Sequence, residues 1–227
     1  MTDNGRKTIL VVDDKDDDNM RQSQKIEVDE RIVHDFNDIL TAIIGFCHLL
    51  KIQTVQNRIA QDTIAELLNA ARKAAEIAQG CKAIRTRQES DVNPATIDKK
   101  IYPKYGAETI LLADDDDDVR SILKSVLEDS GYKVIEATNG KEAVRLFSER
   151  SDEIQMVLLD IIMPEKDGGT AYYEMKKISS ASKILFISGC PGDGLIKDKI
   201  IEDGLNYLPK PVDPDVLLIK IRALLDK

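Results

Sequence analysis

Apolar residues in the N-terminal part of the chain recur at helical spacing. Between about Asp16 and Lys51, the residues Ile32, Phe36, Leu40, Ile43, Cys47 and Leu50 fall at intervals of four and three, which lays them on one helical stripe. After a short break at Gln53, Thr54 and Val55 a second series, Ile64, Leu67, Ala71, Ala74, Ala78 and Cys81, continues the pattern to about Gln88. Two helices joined this closely fold back as an antiparallel hairpin. A lone hairpin cannot bury both stripes, so the pattern predicts that two copies of the chain pair into a four-helix bundle. The alternative is a hairpin packed on the rest of its own chain.

The period disappears over Glu89 to Glu108, where Pro94, Pro103 and Gly106 mark a linker. Beyond it, apolar runs at Ile110 to Ala113, Val134 to Ala137, Ile154 to Leu159, Ile184 to Ile187 and Tyr207 to Leu208 alternate with helical segments. Strands and helices in strict alternation imply a parallel sheet covered on both faces. The predicted fold class is therefore multidomain α + α/β: a two-helix hairpin followed by a doubly wound, five-stranded parallel (βα)5 domain. The predicted boundaries are 1–20 for an N-terminal tail, 21–88 for the hairpin, 89–106 for the linker and 107–227 for the α/β domain.

Ligands of such sheets gather at the carboxyl ends of the strands. Those ends carry Asp114 and Asp115 after the first strand, Asp160 after the third, Ser188 after the fourth and Lys210 after the fifth. Carboxylates brought together resist ionisation unless a cation compensates, and hard oxygen ligands suit Mg²⁺. With a metal clamping a phosphoryl oxygen, one carboxylate serves as nucleophile, while a Lys ammonium and a Ser hydroxyl neutralise the transferring group.

The motifs Ile110-Leu111-Leu112-Ala113-Asp114-Asp115, Leu158-Leu159-Asp160-Ile161-Ile162-Met163-Pro164, Asp167-Gly168, Phe186-Ile187-Ser188-Gly189 and Tyr207-Leu208-Pro209-Lys210-Pro211 together resemble the response-regulator receiver domain. The resemblance implies that Asp160 accepts the phosphoryl group. It further implies that Asp115, Asp160 and the backbone carbonyl of Ile162 bind Mg²⁺, with Asp114 holding the metal through water. Ser188 and Lys210 are the implied phosphoryl contacts, Tyr207 the aromatic switch, and Pro211 follows a cis bond. Asp116, Asp117 and Asp118 read as the cap and first turn of a helix.

Composition narrows the function classes. A formal net charge of -9 opposes nucleic acid as a ligand, and 4% aromatic residues disfavour a base-stacking platform. The three cysteines, Cys47, Cys81 and Cys190, lack the spacing of a zinc site or disulfide framework, which suits a reducing cytoplasm. No uninterrupted apolar run has membrane-spanning length, so no membrane association is expected.

On the first helix, the face opposite the apolar stripe carries His34, Asn37, Asp38, Thr41, Gly45 and His48, and this predicts that His34 faces solvent. An imidazole of ordinary pKa near 6.5 is partly neutral at pH 7 and is a competent nucleophile towards phosphorus, with Asp35 beside it to accept the other ring proton. The segment from Ile32 to Phe46, His34-Asp35-Phe36-Asn37-Asp38 included, is similar to the phospho-acceptor helix of histidine kinases, and Ala70 to Ala75 to its partner in the dimerisation and histidine-phosphotransfer hairpin. The resemblance spans about Glu27 to Gln88 and implies that His34 is the phosphohistidine, while His48 reads as a plain surface residue. Asp38 departs from the pattern, because the family usually has Asn or Thr there to orient water for dephosphorylation, and an anion would repel the phosphoryl group. The linker is also far too short to hold the ATP-binding domain that follows the hairpin in those kinases.

These readings converge on a phosphorelay protein of a two-component system, passing phosphoryl groups between His34 and Asp160. Its expected partners are a histidine kinase, response regulators or phosphotransfer proteins, and a second copy of itself. The alternatives are a shortened hybrid histidine kinase and a receiver-controlled dimeric scaffold. One motif stays outside the scheme: Thr8 to Asp14 repeats Thr109 to Asp115 with five identities in seven, and reads as a tail or as the remnant of a receiver strand.

Overall fold

The computed structural model describes residues 6–11, 24–78, 106–189 and 205–227. The chain opens with β1 (Arg6–Val11) and β2 (Gln24–Asp29), which pair antiparallel from Arg6 against Asp29 to Val11 against Gln24. The first four residues of the repeat are thus strand rather than tail, and the strand lies in its own two-stranded sheet. Val12, Asp13 and Asp14 lie outside the described residues.

Helix α1 (Glu30–Gln53) begins later than its pattern suggested, because the preceding residues are taken up by β2. It is joined to α2 (Arg58–Ala78) by a turn in which the Asn57 side chain accepts from the Ala60 amide at 3.1 Å and Gln61 Nε2 donates to the Lys51 carbonyl at 2.8 Å. The hairpin core is Leu40, Ile44 and Cys47 of α1 against Ile64, Leu68, Ala71 and Ala75 of α2. The seam is therefore narrower than the stripe read from sequence. Ile32, Phe36, Ile43 and Leu50, together with Ile39 and Phe46, form a separate exposed row at four and three spacing. On α2, Leu67 is likewise exposed, and Cys81 lies outside the described residues.

The α/β domain comprises β3 (Thr109–Ala113), α3 (Asp117–Asp129), β4 (Lys133–Ala137), α4 (Gly140–Glu149), β5 (Met156–Asp160), α5 (Gly168–Ile178), β6 (Lys183–Ser188), β7 (Asn206–Pro209) and α6 (Pro214–Leu225). All five strands run parallel in the order β4-β3-β5-β6-β7. The helix expected between β6 and β7 falls outside the described residues. Alternate strand residues feed two cores, as period-2 geometry requires. Ile110, Leu112, Leu158 and Leu185 meet α3 and α6 on one face, while Leu111, Val157, Leu159 and Phe186 meet α4 and α5 on the other. Each helix starts on a side-chain cap: Asp116 accepts from Val119, Asn139 from Glu142, Asp167 from Thr170 and Asp213 from Asp215.

The hairpin sits on the α3 and α6 side of this domain. α1 packs along α3, and Leu49 joins the core beneath α3 and α6. Gly45 permits the approach, since a Cβ there would stand 2.5 Å from Ile122 Cγ1. The hairpin thus covers part of its own chain, which was the alternative to dimerisation in the sequence pattern, and it does so while leaving the apolar row of α1 exposed.

Two predictions concern stability. Phe147 is wholly buried in the α4 and α5 core, so Phe147→Ala is expected to cost about 3–5 kcal/mol in urea unfolding. The Arg222 guanidinium, 2.7 Å from Glu108, holds that carboxyl down from 4.5 to about 2. A depressed carboxyl stabilises the fold above its unfolded pKa and ceases to do so as pH falls through its folded one. Glu108→Gln is therefore expected to lower stability at pH 7 and to flatten its loss between about pH 4.5 and 2, as followed by urea midpoints across that range.

Candidate functional site

Each strand that carries a candidate residue ends on the same edge of the sheet. β3 delivers Asp114 and Asp115, β5 ends on Asp160 and β6 ends on Ser188. The Lys210 amide donates to the Ser188 carbonyl at 2.7 Å, and the Lys210–Pro211 bond is cis. Gly168, at the start of α5, is required because a Cβ there would stand 2.0 Å from the Asp160 carbonyl oxygen. The Asp167-Gly168 pair thus lets α5 cap itself against the end of β5.

Lys210 is fully buried, and its ammonium lies 2.5 Å from Asp160 Oδ2, 2.7 Å from Asp38 Oδ1 and 3.1 Å from Asp114 Oδ2. Burial disfavours that ammonium, but the charges of Asp160, Asp114 and Asp38 outweigh it and hold the Lys210 pKa well above the ordinary lysine value. Asp160, buried, is also pushed up by desolvation, against the pull of Lys210. Desolvation raises Asp114 to about 7, with Lys210 opposing and Asp160 adding to the rise. Asp115 is exposed and shifts upward in the same sense, first by desolvation and then by Asp114.

Ligand atoms of Asp114, Asp115 and Asp160 lie within 4.8 Å of one another. An all-oxygen set of two buried carboxylates and one open to solvent fits a hard divalent cation with an entry path. The Ile162 amide donates to Asp160 Oδ1 at 3.2 Å, which fixes the loop after β5 against that carboxylate. Ser188 is buried at the same edge, and the Tyr207 hydroxyl donates to its carbonyl at 3.3 Å while the half-buried ring packs on the α4 and α5 core.

The hairpin completes the site. His34 does not face solvent: docking of α1 buries it with Asn37, Asp38 and Thr41 against the strand ends. His34 Nε2 lies 3.9 Å from Asp160 Oδ2. The ring's other nitrogen, Nδ1, is 2.8 Å from Asp38 Oδ2 and 3.7 Å from Asp35 Oδ1, and Asp35 is exposed. Asp38 rather than Asp35 therefore fixes the imidazole, because its position one turn along points the same way as His34 while Asp35 points outward. The hydrogen bond to Asp38 raises His34 from 6.5 to about 9, against the desolvation that opposes it. Burial alone would raise Asp38, yet the His34 hydrogen bond and the Lys210 charge hold it below the usual carboxylate range.

Neighbouring residues of α1 fasten this arrangement. Asn37 Nδ2 donates to the Gly189 carbonyl at 2.6 Å, and the Val212 amide donates to Thr41 Oγ1 at 3.1 Å. His48 is no plain surface residue, since its Nδ1 lies 3.2 Å from Asp215 Oδ1. From α2, Arg72 pairs with Asp213 at 2.7 Å. The polar row at helical spacing on α1 was the available signal for this interface. Nothing in the sequence of Arg72, Asp213 and Asp215 marked them as its counterparts.

Residues 110–222 match the family described as response regulator receiver domain. Among curated proteins, the chain is 34% identical over 121 residues to the chemotaxis protein CheY of Bacillus subtilis, covering 53% of this chain and 99% of that one. It is 31% identical over 149 residues to the sensor kinase CckA of Brucella abortus, covering 64% of this chain but only 16% of that kinase. Among solved structures, a response regulator receiver domain protein from Clostridium thermocellum matches with a TM-score of 0.50 and 30% identity, over 52% of this chain and 94% of that one.

The electrostatics make one prediction for metal-free protein. Ionising Asp114 opposes folding above its unfolded pKa, because its folded pKa is the higher of the two. Asp114→Asn removes that cost and is expected to stabilise the fold at pH 7, with the gain fading towards pH 4. Urea unfolding in a chelator checks it; a variant less stable than the parent at pH 7 contradicts the account.

Proposed function

The chain belongs to the response-regulator receiver family of two-component signalling, and from that premise we propose that it passes phosphoryl groups between Asp160 and His34 of the same chain. The observation that carries this reading is the 3.9 Å between His34 Nε2 and Asp160 Oδ2 in a buried interface. Phosphoryl transfer needs little covalent help from a protein, so positioning the two atoms and balancing charge supply most of the catalysis.

In the transfer, the Nε2 lone pair of His34 attacks phosphorus as the bond from phosphorus to Asp160 oxygen breaks; in reverse, Asp160 oxygen attacks as the phosphorus–nitrogen bond breaks. Attack by His34 requires that Nε2 has first shed its proton, while Nδ1–H stays with Asp38. Lys210, in contact with Asp160, and the buried Ser188 hydroxyl would neutralise the equatorial oxygens. Asp114, Asp115 and Asp160, with the Ile162 carbonyl, would hold Mg²⁺, which when bound supplies Lewis-acid stabilisation of the phosphoryl oxygens. Receiver domains work with histidine kinases or phosphotransfer proteins, and we take such a partner as the source of the phosphoryl group here.

The exposed row Ile32, Phe36, Ile39, Ile43, Phe46 and Leu50 supports pairing of two hairpins, since its spacing is that of a bundle seam and it faces away from the docked receiver. A second reading, part of a longer hybrid kinase, is favoured by the match to the sensor kinase, which is longer than the receiver and spans a small share of that protein.

Two experiments test these readings. Incubation with Mg²⁺ and radiolabelled acetyl phosphate is expected to label both Asp160 and His34, distinguished by the alkali lability of the acyl phosphate. Asp160→Asn abolishes both labels, His34→Gln keeps the first, and Gly45→Leu, which blocks docking, slows labelling of His34 by about 10²-fold. Label on His34 at the parental rate in Gly45→Leu defeats transfer within the docked chain. For the assembly, sedimentation at micromolar concentration is expected to give a dimer that Phe36→Asp converts to monomer, and a monomeric parent rules it out.

A further inference from the structure

Asp38 holds the same lysine that lies against Asp160. Its Oδ1 is 2.7 Å from Lys210 Nζ, beside the 2.5 Å contact of Asp160 Oδ2 with the same ammonium. Its other oxygen holds His34 Nδ1 at 2.8 Å. The carboxylate is buried, and the contacts on either side of it, Asn37 to the Gly189 carbonyl and the Val212 amide to Thr41, press it into place. An anion from the hairpin thus occupies one arm of the lysine that the receiver's chemistry needs.

We propose that Asp38 is a tethered competitor of the phosphoryl group, so that phosphorylation of Asp160 drives the hairpin off the receiver. The proposal rests on the reading of Asp160 as the phosphoryl acceptor and adds the regulation of that site. A phosphoryl group brings further negative charge and three acceptor oxygens into a space already holding Asp38, Asp114 and Asp160 around the Lys210 ammonium, with His34 on the far side of Asp38. Asp38, Asp114 and Asp160 are buried, so like charges among them are poorly screened and the movable one leaves. Asp38 is the movable one, because Asp114 and Asp160 are fixed at strand ends. Transfer to or from His34 then passes through a docked and loaded arrangement with Asp38 displaced from Lys210. The resting states are docked without phosphoryl and open with it. Opening uncovers α3 around Ile122 and the polar row of α1 together, which makes both available to outside partners only after Asp160 is loaded.

The test uses the full chain with Mg²⁺ and beryllium fluoride, a phosphoryl stand-in that histidine cannot take up, so the outcome does not depend on transfer to His34. Fluorine NMR reports occupancy of Asp160, and hydrogen exchange at the Val212 amide, which donates to Thr41 in the docked form, reports docking. Gly45→Leu supplies the undocked reference. In the parent, beryllium fluoride is expected to lower protection at Val212 roughly tenfold or more, towards that reference. In Asp38→Asn, whose amide does not repel the added charge, protection is expected to rise on the same addition. Unchanged protection in the parent with Asp160 filled overturns the proposal, as does a flat or falling response in Asp38→Asn. Absence of bound fluorine in both proteins instead overturns the reading of Asp160 as acceptor, on which the proposal stands.

Discussion

The arrangement of this protein depends on one buried ammonium. Lys210 is surrounded by carboxylates from two different parts of the fold, Asp114 and Asp160 from the receiver sheet and Asp38 from the hairpin. Removing a charge from water is costly unless partners compensate, and three carboxylates around one cation overcompensate. Burial holds Asp114 and Asp160 above their usual range, and the excess negative charge leaves room electrostatically for a further cation. His34, which its hydrogen bond to Asp38 raises to about 9, stands beside these carboxylates as a further group able to carry positive charge.

Helix α1 reconciles these demands by presenting three distinct faces. Leu40, Ile44 and Cys47 meet α2, while His34, Asn37, Asp38, Thr41 and Gly45 meet the receiver. Ile32, Phe36, Ile39, Ile43, Phe46 and Leu50 meet neither. α1 is long and apolar enough on average to pass for a membrane span, but its apolar residues are divided between a hairpin core and an exposed row rather than spread around the helix. The same helix thus brings His34 to Asp160 and leaves an apolar row exposed.

The parts legible in sequence were those where a local pattern carries the physics. Continuous apolar runs located the five strands, and strand-end residues Asp114, Asp160, Ser188 and Lys210 met because parallel strands end on one edge. The helical spacing on α1 and α2 located the hairpin, but not its seam, since two apolar rows only a small rotation apart merge into one stripe in a linear reading. The outward placement of His34 failed for a related reason. A polar row at helical spacing looks solvated until a partner of matching polarity covers it, and that partner lies more than a hundred residues away at Asp160, Gly189 and Val212.

Spacing along the chain located the elements of the α/β domain, the two hairpin helices and the residues at the strand ends, because each follows from local periodicity; the pairing of β1 with β2 carried no such signal. Long-range packing is what brings His34 and Asp38 of α1 against Asp160 and Lys210 at the strand ends. Asp38 rather than Asp35 became the partner of His34, and His48 became a docking residue, because orientation around a helix and the distance to a separate fold unit set those contacts. Periodicity specifies which residues share a face. What that face meets depends on long-range packing, here on a glycine at position 45 that lets α1 approach Ile122 and carry His34 to Asp160.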